Sequence, residues 1–168
     1  PTPEVTEWTL NELQKHNAKA TFFCIGKNIE ANPSIFKKVI DQGHSVGNHT
    51  YNHLKGWKTP TEIYIKNTLQ TEQLILEKSG KKPRWFRPPY GQITFKQSRK
   101  LRKIGYKIVM WDVLSADFDN NISQQKCLEN VLKNTTCGSV IVFHDSVKAS
   151  KNMQFVLPKI LKYFNSKN

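Results

Sequence analysis

The chain has 168 residues, of which 38% are hydrophobic and 23% are charged, and this composition excludes a low-complexity or disordered protein. No apolar run approaches the roughly 18 residues that a membrane-spanning helix needs, and no charged-then-apolar leader precedes Pro1. We therefore expect neither a membrane anchor nor a signal peptide in this stretch, and the length predicts one globular domain, residues 1–168.

The net charge is strongly positive. Lysine and arginine number 26 against 13 aspartates and glutamates, a formal charge of +13 that favours an anionic surface or polymer as partner. The lysines are spread along the chain without an arginine-rich block or an aromatic RNA-binding motif, so no nucleic-acid partner is expected. Cys24, Cys127 and Cys137 show no CxxC spacing, which argues against a zinc knuckle, and whether Cys127 pairs with Cys137 stays open.

Hydrophobic periodicity, caps and glycine stops predict six helices and five strands in strict alternation. The long third helix is predicted from apolar positions at Ile63, Ile65, Leu69, Leu74 and Leu76. The predicted helices are residues 3–17, 34–42, about 59–80, 94–104, 123–134 and 153–164, and the predicted strands are residues 20–26, 44–48, 84–87, 106–113 and 138–144.

Such alternation builds parallel sheets through right-handed crossovers and predicts an α/β fold. Because a helix leads with no strand before it, we expect a deformed, incomplete (β/α) barrel whose first strand is missing from this chain. In a barrel of this kind, the residues that follow the strands share one rim.

Three of the five histidines lie within residues 44–53, and His49 and His53 are four positions apart. A helical turn would place the two rings side by side on one face, where a metal could sit between them. The alternative is a helix start that carries two solvated imidazoles.

Other polar clusters also follow predicted strands directly. They are the segment 87–91 (Arg-Pro-Pro-Tyr-Gly), Trp111-Asp112 with Asp117, and His144-Asp145. Their convergence on one rim is a stronger argument for an active site than any single motif.

The segment 49–53 (His-Thr-Tyr-Asn-His) resembles the His-(Ser/Thr)-x-x-His metal motif of the polysaccharide deacetylases, the NodB-homology or carbohydrate esterase family 4 group. Segment 87–91 resembles the third motif of that family, segment 111–118 its fourth, and segment 142–145 its fifth. The four motifs stand in the family's order over nearly the whole chain.

The resemblance implies metal-assisted hydrolysis of an N-acetyl group on an amino sugar. His49 and His53 are then ligands of a divalent ion, usually zinc in this family. His144 protonates the departing amine, and Asp117 is the carboxylate that tunes the pKa of the His144 imidazole.

The resemblance assigns further residues to substrate and base. Arg87 positions the carboxylate that acts as base, and the backbone N–H of Tyr90 helps to hold the oxyanion. Trp111 and Val142 form the wall of the pocket that receives the acetyl methyl. We expect Asp145 to be a strand-end hydrogen-bond acceptor and His44 to be structural or solvated.

The family's first motif, Thr-Phe-Asp-Asp-Gly, supplies the base and the third metal ligand, and it directly precedes a proline that resembles Pro1. Neither carboxylate is in this sequence, and no other aspartate has the local context to replace them. The aspartates are Asp41, Asp112, Asp117, Asp119 and Asp145. We therefore expect that this polypeptide binds metal weakly or not at all and does not deacetylate.

Two explanations stay open: a truncated piece of an intact enzyme, or a degenerate relative that keeps the fold for non-catalytic carbohydrate binding. The expected partner in both cases is an N-acetylated glycan, such as peptidoglycan, a chitin-like polymer or an exopolysaccharide. The resemblance suggests a secreted or cell-envelope location, and the oligomeric state is not readable.

Overall fold

A computed structural model describes residues 1–167, which form two compact units. Pro1 and residues 20–110 make the first unit, and residues 2–19 with 111–167 make the second. The helices are α1 (Val5–Lys15), α2 (Gly26–Ala31), α3 (Pro33–Asp41), α4 (Thr61–Ser79), α5 (Phe95–Lys103), α6 (Gln124–Asn134) and α7 (Ser150–Asn165). The strands are β1 (Thr21–Cys24), β2 (Ser45–Asn48), β3 (Trp85–Phe86), β4 (Lys107–Ile108), β5 (Val113–Leu114) and β6 (Ile141–Val142).

The first unit is built on a four-stranded parallel sheet in the order β1-β2-β3-β4. Phe22 of β1 stands opposite Val46 of β2, and Asn48 of β2 stands opposite Phe86 of β3. Because the strands are parallel, their carboxyl ends lie at one edge, where His49 follows β2 directly. Two buried clusters pack against this sheet: Cys24, Ile29, Phe36 and Ile75, and Tyr64, Phe86, Leu101 and Tyr106.

The buried face of α4 differs from the predicted apolar one. Three of the predicted apolar positions lie at the surface: Ile63 is 56% exposed, Leu69 41% and Leu76 38%. The helix instead buries Tyr64, Asn67, Thr68, Thr71 and Ile75. Threonine hydroxyls can be buried here because they donate to helix carbonyls four residues back, as Thr68 does to the carbonyl of Tyr64.

The second unit packs α1, α6 and α7 around one apolar core, with the parallel pair β5-β6. The core residues are Val5, Cys127, Leu128, Val131, Met153, Val156, Leu157 and Ile160. Ser123 caps α6 by accepting the backbone N–H of Lys126. None of the helices within residues 1–167 is long and apolar enough to span a membrane.

The predicted strand over residues 106–113 is wrong as a single element. The structure forms two short strands there, β4 in the first unit and β5 in the second. The carbonyls of Val109 and Met110, between the strands, accept hydrogen bonds from the Arg87 side chain. The Arg87 side chain therefore satisfies these two carbonyls, while the N–H of Val109 still donates to the carbonyl of Phe86 on β3.

Helix α2 has no counterpart in the prediction, because Gly26 was taken as the end of the preceding strand. A Cβ at Gly26 would lie 2.5 Å from the Tyr51 ring and 2.5 Å from the Thr71 hydroxyl. The glycine is therefore required by close packing of α2 on the loop after β2, and its N–H donates to the carbonyl of Thr50.

Gln97 joins α5 to the turn Gly56–Lys58. The side chain is fully buried, its amide donates to the carbonyls of Gly56 and Thr59 at 2.9 Å each, and its oxygen accepts the N–H of Thr94. We predict that Gln97→Ala lowers the free energy of unfolding by about 2 to 4 kcal/mol, because two carbonyls lose their donor. Urea unfolding measures this, and Arg99→Ala, an exposed change on the same helix, should cost under about 0.5 kcal/mol.

Cys127 and Cys137 are both free thiols, so the structure contains no disulfide between them. Cys127 is fully buried, and burial raises the pKa of its thiol to about 11, whereas Cys137 is exposed. The thiolate is the reactive form, so iodoacetamide at pH 8 should alkylate Cys137 and leave Cys127 unmodified. Mass spectrometry of the folded chain checks this; rapid modification of Cys127 before unfolding would contradict it.

Candidate active site

His49 and His53 come together at the end of β2, but the predicted helical turn between them is wrong. Residues 49–53 form an irregular loop in which Thr50 has φ 62° and His53 has φ 56°. These left-handed conformations turn the chain back on itself, and the two Nε2 atoms lie 3.2 Å apart. Two nitrogens at zinc-ligand distance on a tetrahedral ion would stand about 3.3 Å apart, so the pair fits two positions of such a site.

The protonation of His49 is set by Arg87. The Nδ1 atom of His49 lies 2.6 Å from the backbone carbonyl of Arg87, which can only accept a hydrogen bond, so Nδ1 carries the proton. In the neutral ring, Nε2 then presents a lone pair toward His53. A metal-binding histidine commonly has this arrangement, in which a carbonyl fixes the tautomer and the ring direction.

Two buried asparagines hold the histidine loop. Asn67 on α4 accepts the backbone N–H groups of Tyr51 at 2.8 Å and Asn52 at 3.0 Å with one side-chain oxygen. Asn48, which is fully buried, accepts the N–H of Thr50 and donates to the Tyr106 hydroxyl. The loop that carries both rings is therefore anchored from inside the unit, and neither asparagine was predicted.

Arg87 is partly buried in the first unit. Its guanidinium donates to the carbonyls of Val109 (3.2 Å) and Met110 (3.0 Å) and lies 4.2 Å from the centre of the Phe23 ring. Burial lowers the pKa of Arg87 from 12.5 to about 10, which still leaves it positively charged at neutral pH. Its predicted role in positioning a base carboxylate stays a prediction.

Tyr90 has a backbone conformation unusual for a residue with a side chain, with φ 57° inside the turn Pro89–Gly91. Such a conformation costs on the order of 1–3 kcal/mol and persists only where the surroundings enforce it. The Tyr90 ring contacts the His53 ring at a centroid distance of 4.6 Å, and Lys55 Nζ lies 4.9 Å from the Tyr90 ring centre. The structure therefore places Tyr90 beside the histidine pair; its oxyanion role stays a prediction.

The second unit contains a paired histidine and carboxylate. Asp117 is fully buried, and its two oxygens accept the Nδ1–H and the backbone N–H of His144, both at 2.7 Å. The Phe118 ring meets the His144 ring edge-on at 5.1 Å. Because Nδ1 is bonded to Asp117, Nε2 is the ring atom of His144 that can exchange a proton.

The remaining predicted residues of this unit occupy the β5-β6 region. Val142 on β6 is buried, and its carbonyl accepts the hydroxyl of Ser115 at 2.7 Å. Trp111 is partly buried just before β5. Their predicted role as a wall for the acetyl methyl is not tested by these contacts. Asp145 accepts a hydrogen bond of 2.6 Å from Thr6, which confirms the predicted strand-end acceptor.

Within residues 1–167 no group of three histidine, cysteine or acidic side chains is arranged to hold a metal ion. The histidine pair therefore fits as two ligands of an incomplete set. A catalytic zinc site uses three protein ligands and keeps one position open for water, so a third ligand is needed.

A family model describing polysaccharide deacetylases matches residues 1–109, which include the histidine pair, Arg87 and Tyr90. The chain belongs to the polysaccharide deacetylase family. It is 37% identical over 146 residues to a peptidoglycan-N-acetylglucosamine deacetylase of Bacillus cereus. The matched region covers 87% of this chain and 53% of the relative. The chain thus spans about half the length of that curated relative.

Solved structures of this family share the fold. A peptidoglycan N-acetylglucosamine deacetylase crystallised with a hydroxamate-type benzamide superposes with a TM-score of 0.87 at 33% identity, covering 98% of this chain and 78% of the other. A carbohydrate esterase family 4 pseudoenzyme from Bacillus anthracis superposes with a TM-score of 0.84 at 25% identity. The match covers 96% of this chain and 57% of the pseudoenzyme. The α/β fold of this polysaccharide deacetylase domain is therefore that of the family, as the sequence predicted, although no strand set within residues 1–167 closes into a barrel.

Asn67 gives a test of the loop geometry. Asn67→Ala removes the oxygen that accepts two loop N–H groups, so we predict about a tenfold loss of zinc affinity although no proposed ligand is changed. Titration calorimetry measures this on the folded variant preceded by a strand ending in Thr-Phe-Asp-Asp-Gly, because the chain alone is expected to bind zinc weakly. Gln70→Ala, an exposed change on the same helix, should leave zinc affinity unaltered, and an equal effect of the two variants would contradict the anchoring role.

Proposed function

We propose that this domain is a metal-dependent hydrolase that removes N-acetyl groups from amino-sugar residues of a polysaccharide. The observation that carries the proposal is the 3.2 Å separation of the His49 and His53 Nε2 atoms, with His49 held in its tautomer by the Arg87 carbonyl. We propose zinc as the ion. Imidazole nitrogen suits zinc well, and one further carboxylate would complete a three-ligand catalytic site.

A bound divalent ion would polarise the acetyl carbonyl and lower the pKa of a water toward about 7. His49 and His53 would hold it through Nε2. The Tyr90 backbone, fixed in its left-handed turn, would donate its N–H to the oxygen that gains negative charge.

His144 is proposed as the general acid. Hydrolysis breaks the bond between the acetyl carbon and the sugar nitrogen, and the departing amine needs a proton. His144 can deliver that proton from Nε2 while Asp117 keeps hold of Nδ1 and stabilises the imidazolium. Because Asp117 is fully buried and also accepts the His144 backbone N–H, the ring has little freedom to turn.

The proposed substrate is an acetylated cell-wall glycan. The relative from Bacillus cereus is a deacetylase of N-acetylglucosamine in peptidoglycan, and the charge of +13 favours an anionic polymer. Chitin-like polymers and exopolysaccharides carry the same N-acetylglucosamine group and remain candidates for this chain.

Residues 49–53 supply two imidazoles to the proposed site, and the described part of the chain contains no group of three ligands arranged to hold a metal ion. We therefore propose that it binds zinc weakly by itself, and that an aspartate pair of the Thr-Phe-Asp-Asp-Gly type supplies the missing ligand and the base.

This proposal predicts a difference between two polypeptides, residues 1–168 and the same residues preceded by a strand ending in Thr-Phe-Asp-Asp-Gly. The extended form should bind zinc at least about 100-fold more tightly and release acetate from N-acetylglucosamine oligomers, because a charged ligand is added. His53→Ala in the extended form should abolish both properties. Equal zinc affinity of the two polypeptides would refute the ligand assignment.

A non-catalytic carbohydrate-binding domain is the second candidate. It is favoured by the incomplete ligand set within the described residues and by the similarity to a family 4 pseudoenzyme. Glycan binding that survives a chelator, together with no acetate release by the extended polypeptide, would select this candidate over the hydrolase.

A further inference from the structure

Three exposed aromatic side chains of the first unit lie on segments that meet next to the histidine pair. Trp57 is 67% exposed, Tyr90 56% and Phe95 83%, and together they are called the aromatic ridge below. Tyr90 connects the ridge to the proposed site, because its ring contacts that of His53. A single exposed aromatic residue is ordinary, but a group of three beside a polar site indicates a binding surface.

The Trp57 end of the ridge is held in place by buried contacts. The turn Gly56–Lys58 is joined to segment 92–97 by the buried side chain of Gln97, and the Trp57 indole N–H donates to the carbonyl of Ile93 at 3.3 Å. A Cβ at Gly56 would lie 2.2 Å from the Gln92 carbonyl oxygen, so these backbones are in direct contact. An exposed tryptophan with a fixed ring loses little entropy when a ligand stacks on it.

The surroundings of the ridge are basic. Residues 54–60 and 90–103 contain seven lysines and arginines and no acidic residue. One of them, Lys100, pairs with Glu62 of α4. Lys55 and Lys58 are exposed on the same turn as Trp57, and Lys55 lies over the Tyr90 ring. A ligand that lies along the ridge therefore meets flat apolar rings bordered by positive charge.

We propose that the aromatic ridge is a subsite for the sugar rings that flank the reacting residue of an acidic, N-acetylated glycan. This inference rests on the proposed function, and it narrows the substrate to a glycan that carries carboxylates. The C–H face of a pyranose ring stacks on an aromatic ring, and the carboxylates of such a polymer would lie near Lys55 and Lys58. The contact of Tyr90 with His53 joins the ridge to the proposed site, and the positive charge around the ridge favours an acidic ligand.

The test measures binding of a soluble six-sugar peptidoglycan fragment, which retains its carboxylates, to the full chain in the presence of a chelator. Trp57→Ala and Phe95→Ala should each weaken binding by about fivefold or more through loss of a stacking contact. Tyr163→Ala, which removes a tyrosine 43% exposed on α7 of the second unit, is the matched control and should leave affinity unchanged. Equal affinities of all three variants and the parent would overturn the proposal.

A second arm tests the charge. The double variant Lys55→Gln/Lys58→Gln should reduce affinity for the acidic fragment and leave that for a neutral chitin hexamer unaltered. Equal binding of the acidic and neutral glycans by the parent chain would overturn the assignment of an acidic ligand. Glycan-independent dimerisation that Trp57→Ala abolishes would overturn it in favour of a second copy of the chain. Because no acetate release is measured, these results are independent of catalysis.

Discussion

The hydrogen bond from His49 Nδ1 to the Arg87 carbonyl is the contact on which the proposed metal-binding geometry depends. It follows from strand pairing, because the N–H of Arg87 donates to the carbonyl of Asn48, the residue before His49. The parallel alignment of β2 and β3 therefore brings the carbonyl of Arg87 beneath the imidazole. The Arg87 guanidinium donates to the backbone carbonyls of residues 109–110. Arg87 therefore positions both His49 and the segment after β4.

The two units use the same chemical device on their histidines. In the first, the Arg87 carbonyl accepts a hydrogen bond from Nδ1–H of His49; in the second, the buried carboxylate of Asp117 accepts one from Nδ1–H of His144. In both, Nε2 becomes the atom available for chemistry. The acceptors differ as the proposed tasks differ: a neutral carbonyl suits a ring that gives its lone pair to a cation, whereas a carboxylate stabilises a ring that carries positive charge.

The sequence predicted the elements that bear chemistry better than the contacts that hold them. The motif residues were found because they follow predicted strands that share one rim and because they resemble the motifs of a known family. Asn67 and Gln97 were not found, because an amide side chain in a predicted helix is assigned to the polar, exposed face of that helix. Only the structure shows the hydrogen-bond partners that allow it to be buried. The inverted face of α4 has the same cause: threonines that donate to their own helix can be buried, while Ile63 and Leu69 point outward.

The conformation of the loop 49–53 could not be predicted from the spacing of its histidines. The separation of four between His49 and His53 predicted a helical turn, but the rings meet through two residues with positive φ. Asn48 and Asn67 accept the N–H groups of residues 50–52, and Asn67 lies on α4, so the spacing of the two histidines contains little signal for this loop. Gly26 offered a signal, because a Cβ there would lie 2.5 Å from the Tyr51 ring, so this glycine marks close packing against the loop.

The central claim is that His49 presents its Nε2 lone pair toward His53, in place to bind a cation. Nitrogen-15 NMR of the histidine rings in the metal-free chain tests this most directly. The structure predicts the Nδ1–H tautomer for neutral His49, and zinc added to the form extended by the Asp-Asp motif should shift Nε2 of His49 and His53 together. A neutral Nε2–H tautomer of His49, or a zinc response at other nitrogens only, would contradict the account.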